Sequence, residues 1–318
     1  MDTPPSALTP TRFHVIVPCY NCQEYIAPCL ESLQAQTFTH WTALVADDGS
    51  SDGTADRVEP FLNDPRISLR RGGERQYLMG NTLAALRSLD LKPSDVVAIL
   101  DGDDLLMPSA LEALWDRHTM GYDLVYTDEE IQGLNYSIGR DPIASAPIRK
   151  QLWCFSQLRS FKAYLFSLLA DQDFRHPDTG VYFRAAGDLS LYLPMAELAG
   201  PEKVCFVPEK LYYYRVHEQC NFKVLRAEQL DNNALIRSRP QLPRQTEFFD
   251  HTVDLDRVDK GTLHELAAET RARFPRPHTV CLRHRILPEE EDAWRAYHGL
   301  WIEEGVFFTG APKQGDAA

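Results

Sequence analysis

The chain has 318 residues, 44% of them hydrophobic and 25% charged, which is the composition of a globular protein with a sizeable core. Its net charge of -13 argues against a nucleic acid as main partner, because basic side chains supply most of the affinity for a phosphate backbone. Seven scattered cysteines and the lack of a run of about 18 apolar residues argue against a disulfide scaffold and a transmembrane helix.

The N-terminal residues 1–12, MDTPPSALTPTR, lack the charged start and apolar core of a signal peptide, and we expect them to be disordered. Because the sequence predicts neither a transmembrane helix nor a signal peptide, the expected location is the cytoplasm. Peripheral association with a membrane through a partner or an acceptor lipid stays open.

The first half of the chain alternates strand and helix patterns, which predicts a parallel sheet with helical crossovers. In such sheets ligands bind beyond the carboxyl ends of the strands. Three polar motifs lie at such ends: PCYN after the first strand, DDGS after the second and DGDD after the fourth. The predicted strands are Phe13–Pro18, Trp41–Ala46, Ile67–Leu69, Asp95–Leu100 and Leu124–Tyr126, and the predicted helices contain Ile26–Leu33, Ala55–Leu62, Tyr77–Leu89 and the residues after Pro108.

The pattern loosens after about Arg140. A helix is predicted around Cys154–Leu169, another through AAGDLSLYLPMAELAG despite Pro194, a strand at Val204–Val207 and a helix near Val224–Arg237. Residues 239–318 are predicted to form an α-rich C-terminal extension that could dimerise or hold an acceptor. It would contain helices at Leu263–Arg273 and Glu289–Ile302, a strand near Thr279–Leu282 and a disordered tail.

The DGDD motif places Asp101, Asp103 and Asp104 close together, where mutual repulsion would raise their pKa values unless a cation binds. A divalent cation shared with the phosphates of a ligand removes this repulsion, since hard cations prefer oxygen ligands. The alternative interpretation is a turn with a helix-capping aspartate. The DDGSSDGT segment, with Asp47, Asp48 and Asp52, allows the same two interpretations.

The motifs V-P-x-Y-N, D-D-G-S-x-D-x-T and D-x-D-D, in this order, resemble the nucleotide-sugar-binding half of family 2 glycosyltransferases. The resemblance is clear from Phe13 to Asp128 and continues more loosely to about Leu242. It implies a GT-A fold, an α/β architecture with a Rossmann-like, mostly parallel sheet flanked by helices. The implied domain comprises residues 13–238, with a nucleotide-sugar-binding half at 13–128 and an acceptor-binding half at 129–238.

The resemblance implies a donor site. Pro18, Tyr20 and Asn21 match the loop that packs against the nucleotide base, while Asp48 and Gly49 match the turn that binds it, uracil being the usual base. Asn81 lies where the family often has Arg-Asn. Because Gly80 replaces the basic residue, Arg71 or Arg75 would have to supply its charge.

The resemblance also implies a metal site and a general base. Asp101 and Asp103 match the D-x-D motif that contacts Mn²⁺ or Mg²⁺, and Gly102 between them allows a close approach to the ligand. Asp188 matches the catalytic base, although Gly187 replaces the usual Glu before it; the alternative for Asp188 is a helix cap. His217 is a further candidate metal ligand, and Arg215 a candidate partner for the leaving charge. Other candidates for the base or for acceptor contacts are Asp128, Glu129 and Glu130.

The expected function is therefore metal-assisted transfer of a sugar from a nucleotide-diphosphate sugar to a glycan, a lipid-linked carrier or a protein. The alternatives are a nucleotidyltransferase and a catalytically inactive nucleotide-sugar-binding protein on the same fold. A thioredoxin-like role would rest on the C-x-x-C pair Cys19 and Cys22, and a zinc site would need more ligands than the nearby Cys29. Because these cysteines flank Tyr20, we interpret them as small residues of a nucleotide-binding loop.

Overall fold

A computed structural model describes residues 10–218, 220, 224–242, 251–255, 280–285, 300–303 and 306–311. The predicted disorder of residues 1–12 does not extend to Thr11, whose hydroxyl donates to Asp95 Oδ1 at 2.6 Å. Residues 1–9 lie outside the described part.

Eight strands form the main sheet, in the order β3-β2-β1-β4-β7-β6-β8-β5. Parallel pairing joins β3 to β2, β2 to β1, β1 to β4 and β6 to β8, whereas β7 and β5 pair antiparallel with their neighbours. The mostly parallel sheet predicted from the sequence is thus confirmed. The strands are β1 (Phe13–Cys19), β2 (Trp41–Asp47), β3 (Ile67–Arg71), β4 (Val96–Ile99), β5 (Leu105–Leu106), β6 (Leu124–Ile131), β7 (Arg159–Lys162) and β8 (Val204–Tyr214).

Helices cover both faces of this sheet, because alternate side chains of a strand point to opposite faces. Val15 and Val17 of β1 belong to one buried cluster, and Ile16 between them belongs to the other. The first cluster includes α1 and α4, and the second includes α3 and α6. The helices are α1 (Ile26–Gln34), α2 (Thr54–Val58), α3 (Tyr77–Ser88), α4 (Ala110–Thr119), α5 (Ala163–Ser167), α6 (Gly187–Ala199) and α7 (Arg226–Ser238).

The helix predicted around Cys154–Leu169 is wrong, because β7 occupies its middle and only the short α5 follows. Arg159 and Lys162 are three positions apart, a spacing that also fits the polar face of a helix. Both are buried instead, and each pairs with a carboxylate, Arg159 with Asp188 at 3.2 Å and Lys162 with Asp123 at 2.9 Å. Charged residues that form buried ion pairs therefore have the sequence spacing of a solvent-exposed helix face.

One predicted strand was too short and one predicted helix was too long. Strand β8 continues past Val207 to Tyr214, because a shift of its register against β6 at Asp128 accommodates Pro208. Helix α2 ends at Val58, since Pro60 lies in a 3₁₀ turn that follows it. The helices predicted through Pro194 and near Val224–Arg237 are confirmed by α6 and α7.

Beyond residue 242 the described residues belong to strands, so the predicted α-rich extension also contains a sheet. Strands β9 (His251–Leu255), β10 (Val280–Arg285), β11 (Leu300–Glu303) and β12 (Val306–Ala311) form a second sheet in the order β11-β12-β10-β9. Strand β10 confirms the strand predicted near Thr279–Leu282. The last residues of the helix predicted at Glu289–Ile302 instead belong to β11. A short apolar run is compatible with a helix or a strand, and here it forms a strand because it pairs antiparallel with β12. The helix predicted at Leu263–Arg273 and the tail lie outside the described residues.

No helix in the described ranges is long and apolar enough to cross a bilayer.

Arg149, in the 3₁₀ turn Ile148–Lys150, forms a buried ion pair with α6 and a hydrogen bond to α7. Glu197 accepts hydrogen bonds from Arg149 Nε at 2.6 Å and Arg149 Nη2 at 2.9 Å, and Arg149 Nη1 donates to the carbonyl of Ile236 at 2.7 Å. Glu197 is only 5% exposed and Arg149 7%. The pair fixes α7 beside the part of the chain that holds the functional site.

Glu197→Gln should lower the free energy of unfolding by about 3–5 kcal/mol, because it leaves the guanidinium of Arg149 buried without a counter-charge. The measurement is urea denaturation followed by circular dichroism. Glu31→Gln, on the exposed side of α1, is the control and should change stability by less than about 0.5 kcal/mol. Equal denaturation midpoints for the two variants would contradict this role of the pair.

Candidate functional site

Two adjoining cavities lie at the carboxyl ends of β1, β2 and β4. The first, of about 530 Å³, is lined by the loop after β1 and is here called the β1 cavity. The second, of about 390 Å³, is lined by the start of α6 and is called the α6 cavity. Four residues line both cavities, so the two spaces meet there: Leu78, Asp101, Arg184 and Tyr214.

The loop after β1 is tied to the turn after β2. Asn21, with a left-handed backbone (φ 49°), donates its amide to Ser50 Oγ at 2.9 Å, and its side chain accepts from the Ser51 amide at 2.9 Å. The Cys22 amide donates to Thr54 Oγ1 at 2.9 Å. Asn21 thus positions the loop, with Pro18 and Tyr20 in the cavity wall.

Tyr20 and Arg75 form one side of the β1 cavity. The guanidinium carbon of Arg75 lies 3.8 Å from the centre of the Tyr20 ring and 4.6 Å from that of Tyr77. Tyr77 has a left-handed backbone (φ 60°), a conformation that non-glycine residues adopt mainly at functional sites and turns. Arg71 instead pairs with Glu59 at 2.9 Å outside the cavity. Of the two arginines considered for the missing basic residue, Arg75 is the one at the site.

Asp48 lies at the bottom of the β1 cavity and is 3% exposed. Its Oδ1 accepts from the Gln76 amide at 2.8 Å, while its buried Oδ2 has no hydrogen-bond partner among the described residues. Burial raises the pKa of this carboxyl, and the backbone amides of Gln76 and Tyr77 oppose the rise. The next residue, Gly49, has φ 75°, which makes glycine the natural residue for the turn. Asp48 therefore offers one buried acceptor to a ligand.

Asn81 also lines the β1 cavity but is 2% exposed. Its side-chain amide donates to the carbonyl of Ala46 at 2.6 Å, which ties α3 to the end of β2. The structure thus gives Asn81 a positioning contact, and a contact with ligand stays a prediction.

The DGDD segment separates the two cavities. Asp103 Oδ2 lies 2.8 Å from His217 Nε2, so the loop after β8 brings together two of the predicted metal ligands. Asp104 has a structural role, since it accepts from the Tyr212 hydroxyl at 2.7 Å and the Arg215 amide at 2.8 Å. Arg215 itself donates to the Asp103 carbonyl at 3.1 Å.

Asp101 lies in the wall shared by the cavities, and Gln157 Nε2 donates to its Oδ2 at 3.3 Å. Burial, with the negative charges of Asp103 and Asp188, raises the pKa of Asp101 to about 7, although Arg159 opposes the rise. A cation at this point would stabilise the ionised form. Gly102 fits closely against β1, since a Cβ there would lie 2.8 Å from the Cβ of Cys19.

These residues fit a divalent cation that is shared with a ligand. Across the described ranges, no group of three or more His, Cys, Asp or Glu side chains could hold a metal by itself. Asp103 and His217 supply two ligands, and Asp101 adds a nearby negative charge. Mg²⁺ and similar hard cations are commonly held by one or two side chains, with substrate phosphates and water completing the shell.

Asp188 lies at the start of α6 and lines the α6 cavity, with its side chain 32% exposed. Its Oδ2 pairs with Arg159 Nη1 at 3.2 Å. Arg159 is 8% exposed and packs near the rings of Trp153 and Tyr192, at 5.4 and 5.1 Å. The residue at the N-cap position of α6 is Ala186, and Asp188 lies in the first turn, where its Oδ1 accepts from the Leu189 amide at 3.0 Å. Its part-exposed carboxylate thus has a helix-terminal contact and also faces the cavity.

Of the other candidate carboxylates, only Glu129 lines the α6 cavity. It is 4% exposed and accepts from the Gln157 amide at 3.0 Å. Asp128 is bound by the Ser137 hydroxyl, and Glu130 faces solvent. The structure therefore brings Asp101, Glu129 and Asp188 together.

Glycines replace two residues that are usual in the family, and each glycine lies where a Cβ atom would come too close to a neighbouring side chain. A Cβ on Gly80 would lie 2.9 Å from the Cβ of Gln76 and from the Tyr182 ring. A Cβ on Gly187 would lie 3.0 Å from the Cβ of Met79. Side chains at these positions would need their neighbours to move.

Sequence reasoning missed Arg184 and Arg159. Arg184 lines both cavities, its Nε lies 4.0 Å from Glu228 Oε2, and its guanidinium carbon lies 4.5 Å from the Tyr77 ring. Arg159 lies in the segment LRSFKAYLF of the looser resemblance, and Arg184 lies four residues before Asp188. A search for basic residues flanking the predicted base would have found it.

The cysteines of the C-x-x-C motif are free thiols, 6% and 5% exposed for Cys19 and Cys22. Interaction with Cys22 and burial raise the pKa of Cys19, which disfavours the reactive thiolate. This is the environment of packing residues and agrees with the interpretation from the sequence.

Comparisons with known proteins point to one family. Residues 14–183 match the family model described as Glycosyl transferase family 2. Chondroitin synthase of Escherichia coli is 30% identical over 209 residues, which are 60% of this chain and 28% of that protein. The E. coli UDP-Glc:alpha-D-GlcNAc-diphosphoundecaprenol beta-1,3-glucosyltransferase WfgD is 35% identical over 98 residues, 31% of this chain and 37% of that protein. The chain thus spans well under half the length of these relatives.

Solved structures share the fold. S. aureus TarS 1–349 in complex with UDP-GlcNAc has a TM-score of 0.54 at 20% identity, covering 71% of this chain and 66% of that one. The mannosyltransferase PcManGT from Pyrobaculum calidifontis, in complex with GDP-Man and Mn²⁺, has a TM-score of 0.52 at 18% identity, covering 76% and 68%. The predicted GT-A-type α/β fold is confirmed.

Proposed function

The chain belongs to glycosyl transferase family 2, and we propose that it transfers a sugar from a nucleotide-diphosphate sugar, with UDP-sugars favoured, to an acceptor hydroxyl with inversion. The acceptor would be a glycan, a lipid-linked carrier or a protein. One observation carries this proposal. The β1 cavity, with Asp48, Asp103 and His217, meets the α6 cavity, with Asp188, at the carboxylate of Asp101.

The β1 cavity would hold the nucleotide. A flat base can stack on the Tyr20 ring, whose face now contacts Arg75, and its N–H can donate to the buried Oδ2 of Asp48, which has no partner among the described residues. Uracil offers such an N–H, which favours a uridine donor. Arg75 and Arg184 are the cations that line this cavity and would face the diphosphate.

Asp103 and His217 would hold the divalent cation together with diphosphate oxygens, beside Asp101. When bound, the cation acts as a Lewis acid that stabilises the charge of the leaving nucleoside diphosphate. The contact of Arg215 with the Asp103 carbonyl keeps the loop after β8 near this charge.

Asp188 would act as the general base from the α6 cavity. It takes the proton of the acceptor hydroxyl as that oxygen bonds to the anomeric carbon, while the bond from this carbon to the diphosphate oxygen breaks. Attack from the face opposite the leaving group inverts the anomeric configuration. Arg159 orients the carboxylate through their ion pair.

Thermal shift with a panel of nucleotide sugars, with and without Mn²⁺, tests this function, because a ligand of the native state raises the melting temperature by mass action. The donor that binds should bind roughly tenfold or more weakly to Tyr20→Ala, since stacking on an aromatic ring contributes about 1–3 kcal/mol per base. Cys22→Ser is the matched control. It alters the same loop without removing the ring and should bind the donor nearly as the native chain does.

Release of nucleoside diphosphate in the presence of acceptors completes the experiment. Donor binding without release would support a catalytically inactive nucleotide-sugar-binding protein. If no nucleotide sugar raises the melting temperature, or if Tyr20→Ala binds the donor unchanged, the proposed donor site is wrong.

A further inference from the structure

The α6 cavity has an acidic floor, formed by Asp101, Glu129 and Asp188. Gln157 bridges two of these residues, because its side-chain Nε2 donates to Asp101 at 3.3 Å and its backbone amide donates to Glu129 at 3.0 Å. Carboxylates and amides in this arrangement can bind several hydroxyl groups at once. The floor suits a polyhydroxyl ligand.

The charge of this floor is only partly offset. Arg159 is buried and pairs with Asp188 at 3.2 Å, which offsets that carboxylate. Arg184 also lines the β1 cavity, where the donor diphosphate would use its charge, and the cation would lie beside Asp101. An anionic acceptor would therefore meet the charge of Glu129 at close range, and the net charge of -13 would repel an anionic polymer before contact.

The lining of the α6 cavity also has an apolar part, here called the apolar rim, formed by Leu134, Tyr136, Ile138 and Trp153. Tyr136 is 60% exposed and Leu134 is 44% exposed, although both line the cavity. Sugar rings have apolar C–H faces that can pack on such side chains while their hydroxyl groups face polar residues. The cavity thus matches the two chemically different sides of a pyranose.

From the acidic floor and the apolar rim, we propose that the acceptor unit bound in the α6 cavity is an uncharged sugar, and that sugars carrying a carboxylate or a phosphate are rejected. This inference rests on the proposed function and narrows its acceptor class. Glu129 is assigned to acceptor hydroxyl groups, and Tyr136 to the C–H face of the ring.

The test compares matched acceptors that differ mainly in charge. The para-nitrophenyl glucosides and galactosides, in both anomers, are paired with the corresponding uronides, and N-acetylglucosamine is paired with its 6-phosphate. Acceptor-dependent release of nucleoside diphosphate by the full chain is measured with the donor found above. We expect the uncharged member of each active pair to have a kcat/KM about tenfold higher or more, because like charges repel at close range.

Two variants test which residues produce the acceptor preference and the acceptor affinity. Glu129→Gln keeps the hydrogen-bonding shape but removes a charge, so the preference for the uncharged acceptor should fall about threefold or more. Tyr136→Ala should raise the acceptor KM about fivefold through lost apolar contact. The control is Leu152→Ala, because Leu152 is 81% exposed and lines neither cavity.

Preference for the charged member, no response to any uncharged acceptor, or an unchanged preference in Glu129→Gln would overturn this inference. Donor binding and acceptor-independent donor hydrolysis are measured in the same samples. If these also fail, the proposed function is wrong; if they persist, only the inferred acceptor class is wrong.

Discussion

Asp188→Asn is expected to lower sugar transfer by ~10²–10⁴-fold, the range that general-base catalysis supplies. The amide keeps the size of the carboxylate but cannot take the proton of the acceptor hydroxyl. Asp188 is the candidate base because it lines the α6 cavity beside the junction with the β1 cavity, and because Arg159 holds its carboxylate at 3.2 Å. Donor affinity should change little, since Asp188 does not line the β1 cavity.

The measurement is kcat for acceptor-dependent nucleoside diphosphate release, with donor affinity and melting temperature determined on the same protein. Asp178→Asn makes the same chemical change at a side chain that is 87% exposed and should leave all three quantities unchanged. A fall in melting temperature large enough to explain the lost rate would indicate a structural role. Native kcat in Asp188→Asn would eliminate Asp188 as the base.

The sequence predicted which residues meet at the β1 cavity because the signals for them are local. Buried parallel strands appear as short apolar runs, and the loop that follows each run contains its functional residues in consecutive positions. Tyr20, Asp48 and Asp103 therefore line one cavity, as expected for residues that follow neighbouring strands of a parallel sheet. His217 was a weaker candidate, yet the loop after β8 brings it to Asp103.

The acceptor side was less predictable because its contacts join residues far apart in the chain. Arg159 meets Asp188 across 29 positions, from a strand whose charged residues imitated a helix. Arg184 and Glu129 reach the same cavity from other elements. No spacing rule relates such residues, and buried ion pairs contradict the simple expectation that charges face water.

Asp103→Asn is expected to lower Mn²⁺-dependent release of nucleoside diphosphate on the order of a hundredfold or more, because metal stabilisation of the leaving charge contributes several kcal/mol. Asp103 is positioned for this role by His217, which lies 2.8 Å away and is the second candidate ligand. Their side chains are 32% and 20% exposed, so loss of this contact should cost about 0–1 kcal/mol of folding stability. The activity should therefore fall while the fold persists.

Metal binding is measured independently of turnover, by the paramagnetic resonance signal of free Mn²⁺ during titration of the protein with nucleoside diphosphate present. Asp103→Asn should bind Mn²⁺ more weakly, and His217→Gln should show a smaller change because the carboxylate remains. Asp90→Asn, at an exposed position that lines neither cavity, controls for the lost charge. Turnover without metal, or native Mn²⁺ affinity and rate in Asp103→Asn, would remove the cation from the mechanism. The cavities would then still define the substrates, but the leaving charge would have to be stabilised by Arg75 and Arg184.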